Sequence, residues 1–180
     1  GLVCIAIVWI FTILNFMGGS FIGRMATIGL VAMLLPVAGT AIFGWFWFDP
    51  QTYTANWNTS GAADSEAVIR SVLLCLWAFI GIESASVSTG LVKNPRKTVP
   101  LATLLGTGLA GIVYVLSFQA IAGMFPADVI AKSGAPFAAS VALMVGDWAA
   151  PVVAACTVIA CLTSLGSWML LVTQAGARAA

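Results

Sequence analysis

Five apolar stretches, each close to the length of a membrane-spanning helix, constrain this 180-residue chain more than any other feature. A helix needs about 20 mostly apolar residues to cross the hydrocarbon core of a bilayer. Pro36 lies inside the second stretch and predicts a kink there. We predict five spanning helices, called segments A to E, over residues 1–17, 25–48, 69–92, 100–124 and 149–177.

The scarcity of charged residues supports the same interpretation. Charged residues make up 7% of the chain and hydrophobic residues 61%, whereas a soluble domain carries about 25% charged residues. A net charge of +1 provides no electrostatic attraction for the phosphates of a nucleic acid. We therefore predict an all-α, polytopic membrane protein that contacts the lipid bilayer and binds no nucleic acid.

The residue types that usually ligate metals or perform catalysis are sparse. The chain has no histidine, and its four cysteines lie in apolar runs without CxxC spacing, which argues against a disulfide or zinc framework. An enzyme inside the membrane would need paired carboxylates or histidine clusters, and the five segments contain one carboxylate, Glu83. We expect no metal, no cofactor and no enzymatic activity. A transporter and a non-transporting scaffold subunit stay open.

The charges of the connecting loops predict the orientation, because five spans place successive loops on alternate sides. One side receives only basic residues: Arg24, Lys93, Arg96, Lys97 and Arg178. The other side receives five acids and two bases: Asp49, Asp64, Glu66, Asp128, Asp147, Arg70 and Lys132. Basic residues favour the cytoplasm, so loops 18–24 and 93–99 are predicted to be cytoplasmic. The two acidic loops, 49–68 and 125–148, are predicted to be periplasmic, and a short surface helix fits residues 135–145.

Glu83 lies midway through segment C, at a depth where a carboxylate costs about 2.5–3.5 kcal/mol. Such a residue usually faces a bundle interior or a water-filled cavity. We expect Glu83 to titrate during transport or to meet a cationic substrate; a buried, hydrogen-bonded carboxyl is the structural alternative. Gly81 and Ser84 belong to a small, hydroxylated stretch and predict a helix break near residues 81–84. An intact, closely packed helix is the alternative.

Three aromatic side chains could join Glu83 in a substrate site. Trp77 precedes Glu83 by six residues on segment C, and an indole face attracts an alkylammonium group by about 0.5–2 kcal/mol. Trp168 lies in segment E after a run of small residues that includes Ser164, and Tyr114 lies deep in segment D, where its hydroxyl needs a partner. Packing in the core is the alternative for each ring. Three glycines of segment D predict close helix contacts: Gly106, Gly108 and Gly111.

Two stretches carry a family resemblance: Trp-Ala-Phe-Ile-Gly-Ile-Glu-Ser-Ala-Ser over 77–86 and Val-Lys-Asn-Pro-Arg-Lys-Thr-Val-Pro over 92–100. They resemble the basic amino acid/polyamine antiporters of the amino acid–polyamine–organocation superfamily. Residues 86–91 and 161–168 favour members that exchange lysine for cadaverine. Arginine/agmatine and putrescine/ornithine exchange are the alternatives. The resemblance implies a fragment, the fourth to eighth helices, of a twelve-helix fold with two inverted repeats of five.

The resemblance also implies roles for individual residues. Trp77 matches a substrate-packing tryptophan, Ile80 lies on the same site-facing stretch, Glu83 matches an acid of pH-dependent transport, and Trp168 matches a tryptophan near the site. The implied activity is antiport of lysine and cadaverine across the bacterial inner membrane, which supports acid resistance. The implied partners are these small cations and a second copy of the full-length protein.

Overall fold

The computed structural model describes residues 1–76, 81, 92 and 94–179. These residues form eight α-helices: α1 (Leu2–Asn15), α2 (Gly19–Phe43), α3 (Pro50–Ala55), α4 (Asp64–Cys75), α5 (Pro95–Met124), α6 (Ala127–Lys132), α7 (Pro136–Val145) and α8 (Ala149–Ala179). A 3-10 turn, Gly44–Trp47, continues α2. The all-α prediction is confirmed for this part of the chain. Within residues 1–76 and 94–179, three helical stretches are long and apolar enough to cross a membrane: Gly19–Trp47, Pro95–Met124 and Ala149–Ala177.

Two of the long helices begin earlier than the apolar pattern indicated. α5 starts at Pro95, because Asn94 adopts a left-handed conformation with φ +59° and proline suits the first helical position. α2 starts at Gly19, directly after Gly18, whose φ of +94° lies outside the helical region. Polar or charged residues near the loops therefore extend both helices beyond the apolar spans.

Segments A and C correspond to shorter helices in the described residues. Segment A contains α1, a 14-residue apolar helix. Segment C begins inside α4 and shares residues 69–75 with it. Further along segment C, residues 77–80 and 82–91 lie outside the described part of the chain. Segment E matches α8 closely.

α2 lies at the centre of the packing and contacts α8 more extensively than any other helix. The approach is close because Gly29 lacks a side chain: a Cβ there would lie 2.8 Å from Thr163 Cβ. α1 reaches α8 in the same way, since a Cβ on Gly166 would lie 2.9 Å from Phe11 Cδ1. α7 packs against α8 and α2, with Ser140 buried. The close approaches at Gly29 and Gly166 therefore determine the position of α8 against α2 and α1.

The two acidic loops meet at the end of α5, as the charge pattern requires. Asn56 ends α3, and its Nδ2 donates hydrogen bonds to the carbonyls of Ala122 at 2.7 Å and Phe125 at 2.8 Å. Its Oδ1 accepts a hydrogen bond from the N–H of Ala127 at 2.8 Å. One amide therefore joins both acidic loops at one end of the helices.

Candidate functional site

The structure describes half of the predicted site residues. It places Gly81, Tyr114, Ser164 and Trp168. The other four lie outside the described residues: Trp77, Ile80, Glu83 and Ser84.

Gly81 lies directly against the ring of Trp168. A Cβ on Gly81 would lie 3.2 Å from Trp168 Cζ2 and 3.3 Å from Cη2, closer than ordinary van der Waals contact. The φ angle of Gly81 is +103°, a conformation that L side chains rarely adopt. Glycine meets both requirements, because it has no Cβ and tolerates a positive φ. Gly81 of segment C and Trp168 of segment E, far apart in the sequence, therefore come together at this contact.

Trp168 and Ser164 occupy the face of α8 that is turned away from α1 and α2. The two residues are four apart, so their side chains share one side of the helix. Both are exposed in this chain, Trp168 by 45%. Thr163 and Gly166 lie on the opposite side, against α2 and α1, and Thr163 is buried. One face of α8 holds the helix in place, and the other presents an indole and a hydroxyl.

Two hydroxyl groups on the packed side of α8 are satisfied within the helix. Thr163 Oγ1 donates to the carbonyl of Ile159 at 2.9 Å, and Ser167 Oγ donates to the carbonyl of Thr163 at 3.0 Å. Satisfying these donors internally lets the helix pack in apolar surroundings without unpaired polar groups.

Tyr114 lies in a different neighbourhood from Trp168. Its ring is 6.4 Å from that of Phe118, which is 6.0 Å from the ring of Phe137 on α7. The positions of Tyr114 and Trp168 along the axis of α2 can be compared, because both of their helices contact α2. α8 contacts α2 at Gly29, and α5 contacts the end of α2 at Gly44. With a rise of 1.5 Å per residue, Tyr114 and Trp168 are separated by about 20 Å along α2. The structure therefore does not bring Tyr114 together with the Gly81–Trp168 contact.

The prediction of close contacts at the three glycines of α5 is wrong for the described residues. A Cβ on any of them would meet nothing within 4 Å. Among the described residues, an added Cβ would come within 3.0 Å of another side chain at three other glycines: Gly29, Gly123 and Gly166. These positions carry the same signal, glycine in an apolar helix, so the sequence alone does not distinguish the two sets.

Charge at the predicted periplasmic end is arranged in local pairs. Arg70 pairs with Glu66 at 2.5 Å, and Lys132 pairs with Asp128 at 3.7 Å. Each pair is exposed and joins residues four apart, so it contributes little to stability. Both bases of this end are thereby matched by acids on their own helices. Among the described residues, no three potential ligands gather into a metal site.

Comparison with known proteins identifies relatives over the whole chain. A family model described as amino acid permease matches residues 1–178. The chain is 63% identical over 180 residues to the cadaverine/lysine antiporter of Escherichia coli strain K12, covering 100% of this chain and 40% of that protein. It is 39% identical over 174 residues to the putrescine transporter PotE of the same strain, covering 97% and 40%. It is 37% identical over 166 residues to the PotE of Haemophilus influenzae, covering 92% and 38%. The chain therefore spans about two fifths of the length of these relatives.

Proposed function

Because this chain belongs to the amino acid permease family, we propose that it forms part of an antiporter that exchanges lysine for cadaverine. The protein is a multi-pass protein of the bacterial inner membrane. Identity is 63% to the cadaverine/lysine antiporter and 39% to the putrescine transporter, which favours the first substrate pair. Decarboxylation of lysine to cadaverine consumes a proton, so this exchange removes a proton equivalent from the cytoplasm and supports acid resistance.

The contact between Gly81 and Trp168 carries this proposal. Glu83 follows Gly81 by two residues, so covalent geometry limits the distance between their Cα atoms to about 7 Å. Lysine and cadaverine combine an aliphatic chain with ammonium groups. An indole face attracts an alkylammonium, and a carboxylate balances its charge. The contact therefore supports a site in which both groups reach the same substrate.

In the proposed mechanism, Trp77 and Trp168 pack on the aliphatic chain, and Ile80 lines the same stretch. Glu83 balances the ammonium group, or takes up a proton and weakens binding on one side of the membrane. Desolvation raises the pKa of a carboxyl and a bound cation lowers it, so substrate and proton compete for this group. The site works by alternating access, without a cofactor or a covalent step.

Three further residues have supporting roles in this proposal. Gly81 and Ser84 break the helix and expose backbone groups to the substrate, as in other carriers with interrupted helices. Ser164 adds a hydroxyl beside Trp168. Tyr114 would meet the substrate closer to the periplasmic end, since it lies about 20 Å from Trp168 along α2.

Exchange in proteoliposomes tests the proposed function. The full-length protein, loaded with cadaverine, is expected to take up labelled lysine. Trp168→Leu is expected to lower kcat/KM by about tenfold, because it removes the cation–π attraction and part of the apolar surface. Trp9→Leu is the matched control: Trp9 lies on α1, is 64% exposed, and should leave exchange unchanged. Wild-type exchange rates for Trp168→Leu would contradict the site. Competition by arginine, agmatine, ornithine and putrescine identifies the substrate pair.

Glu83→Gln tests the role of the carboxylate, because glutamine keeps the shape and cannot titrate. We expect the variant to lose the pH dependence of exchange that the wild type shows. The rate of lysine uptake is measured between pH 5 and pH 8 for both proteins. Parallel pH profiles in the two proteins would contradict the proposed role of Glu83. They would not affect the role proposed for Trp168.

The resemblance to the antiporter family also supports a homodimer of the full-length protein. The mass of the detergent-solubilised protein tests this part of the proposal, and a monomer at all protein concentrations would contradict it.

A further inference from the structure

A groove of about 260 Å³ runs along the first part of α5, at the end of the helix predicted to face the cytoplasm. Lys97, Leu101 and Leu105 are spaced four residues apart, so they share one side of the helix. The distance from Lys97 to Leu105 along the helix axis is about 12 Å. The groove therefore has a positive charge at its loop end and an apolar wall toward the middle of the helix. It is lined by Lys97, Thr98, Leu101, Ala102 and Leu105.

The groove faces away from the side of α5 that other residues of this chain cover. Between residues 95 and 107, the partly covered positions recur every four residues, at 95, 99, 103 and 107. Leu101 follows Val99 by two residues, which corresponds to a rotation of about 200° around the helix axis. Leu101 is 57% exposed and Leu105 is 62% exposed. The groove therefore lies on the outward side of the helix and presents leucine side chains there.

The basic residues at the start of α5 have no acidic partner in the part of the chain that the structure describes. Arg96 and Lys97 are both exposed, and the described ion pairs involve only Arg70 and Lys132, at the predicted periplasmic end. Arg96 and Lys97 line one concave region of about 440 Å³, and Lys97 also lines the groove. The positive end of the helix dipole adds to their charge. An anion therefore complements this end of the groove.

We propose that an anionic phospholipid of the cytoplasmic leaflet occupies this groove. Its phosphate group lies beside Arg96 and Lys97, because lysine and arginine attract anionic headgroups at the membrane surface. An acyl chain lies along Leu101 and Leu105, which provide apolar surface deeper in the membrane. The order of charge and apolar surface along the groove thus matches the order of headgroup and chain in a lipid. A soluble phosphate would contact only the charged end, and a zwitterionic lipid has no net charge.

Titration of the detergent-solubilised full-length protein with phosphatidylglycerol tests this inference, with native mass spectrometry measuring the Kd of the tightest-bound lipid. Lys97→Gln is expected to raise this Kd about fivefold, the effect of removing one basic residue near the headgroup. Arg24→Gln is the matched control, because Arg24 is also exposed on the predicted cytoplasmic side and does not line the groove. It should leave the Kd unchanged. Equal Kd values in the two variants would overturn the lipid site.

Two leucines test the apolar part of the groove in the same titration. Leu101 and Leu104 lie on the same helix and are 57% and 73% exposed, but only Leu101 lines the groove. Leu101→Ala is expected to raise the Kd for phosphatidylglycerol about threefold, because it removes apolar contact area. Leu104→Ala should not change it. An equal change in the two variants would contradict the position of the acyl chain and overturn the site.

Two further ligands distinguish the lipid from other occupants. Phosphatidylcholine with the same chains should bind about tenfold more weakly, because it has no net charge, and glycerol phosphate should not displace phosphatidylglycerol. Displacement by glycerol phosphate would overturn the lipid site and indicate a site for soluble phosphate. Equal binding of the two lipids would overturn it as well and indicate that a helix of the longer protein covers the groove. These titrations measure no transport, so they stay decisive if the proposed function fails.

Discussion

The two halves of α5 differ in how they are packed, although both are apolar and both contain glycine. In the outer half, residues 113–124, four residues are buried: Ser117, Ala120, Ile121 and Gly123. In the inner half, residues 95–112, every residue is at least partly exposed within this chain. The outer half contacts the end of α2, where a Cβ on Gly44 would lie 3.0 Å from Ala120 Cβ.

This difference shows that glycine in an apolar helix does not by itself identify a packed face. Small residues allow two helices to approach, but only a neighbour on the same side turns that into a contact. Gly123 has such a neighbour in the ring of Phe48, whereas Gly108 has none within 4 Å among the described residues. Variants at these two positions can therefore test the comparison within one helix.

Gly123→Ala is expected to have the largest effect. The added Cβ would overlap the ring of Phe48, with Phe48 Cγ at 2.8 Å. That ring is itself fixed by Trp45, with centroids 5.1 Å apart, and by Tyr53, at 5.3 Å. Overpacking of this kind costs about 1–3 kcal/mol. The measurement is the denaturation midpoint of the detergent-solubilised full-length protein.

Gly108→Ala is the control for Gly123→Ala, because it adds the same methyl group to the inner half of the same helix. We expect it to leave the midpoint unchanged or raise it slightly, since alanine favours a helix over glycine. An equal decrease of the denaturation midpoint in the two variants would contradict the difference between the halves of α5. It would show that the inner half is also closely packed in the full-length protein.

Asn56→Ala is expected to have the next largest effect, because it releases the outer half from both acidic loops. The variant loses three hydrogen bonds of 2.7–2.8 Å, to Ala122, Phe125 and Ala127. The three bonds are part-buried, so water can partly replace them, and each contributes toward the lower end of roughly 0.5–1.5 kcal/mol, which gives a loss of about 2 kcal/mol. Hydrogen exchange of the outer-half amides measures the loosening directly.

Asn58→Ala is the matched control for Asn56→Ala. Among the described residues, Asn58 bonds only inside its own loop and the start of α4, to Ala62, Asp64 and Ser60. Exchange in the outer half of α5 should therefore stay at the wild-type rate. Loosening of that half to the same extent in both variants would mean that the acidic loop acts as a whole and not through Asn56.

Much of the fold could be predicted because length and apolarity determine which stretches cross a membrane. Pairings between distant residues could not. Gly81 and Trp168 were each identified from their local sequence, but nothing in that sequence shows that two residues so far apart are in contact. Asn56 bonds partners 66–71 residues away, and a polar residue in a polar loop gives no signal of this.

Protonation of Asp49 is expected to have the smallest effect on the stability of the folded protein, and this effect appears only at acidic pH. The N–H of Asp49 donates to the carbonyl of Gly123 at 2.9 Å, and its carboxylate caps α3. The hydroxyl of Thr52, at 2.6 Å, and the N–H groups of Thr52 and Gln51 lower the pKa of Asp49 below its usual value of 3.8. A lowered pKa means that the cap stabilises the folded protein above pH 3.8 and loses this effect as the pH falls through the folded-state pKa.

Asp49→Asn separates this titration from the other carboxylates, because asparagine still caps a helix and cannot titrate. Between pH 5 and pH 3 the melting temperature of the wild type should fall slightly more than that of Asp49→Asn. Parallel decreases in the two proteins would show that the cap at Asp49 is not coupled to the stability of the outer half. A larger decrease for the wild type, together with faster amide exchange near Gly123, would instead connect the acid response of the two acidic loops to the half of α5 that is packed.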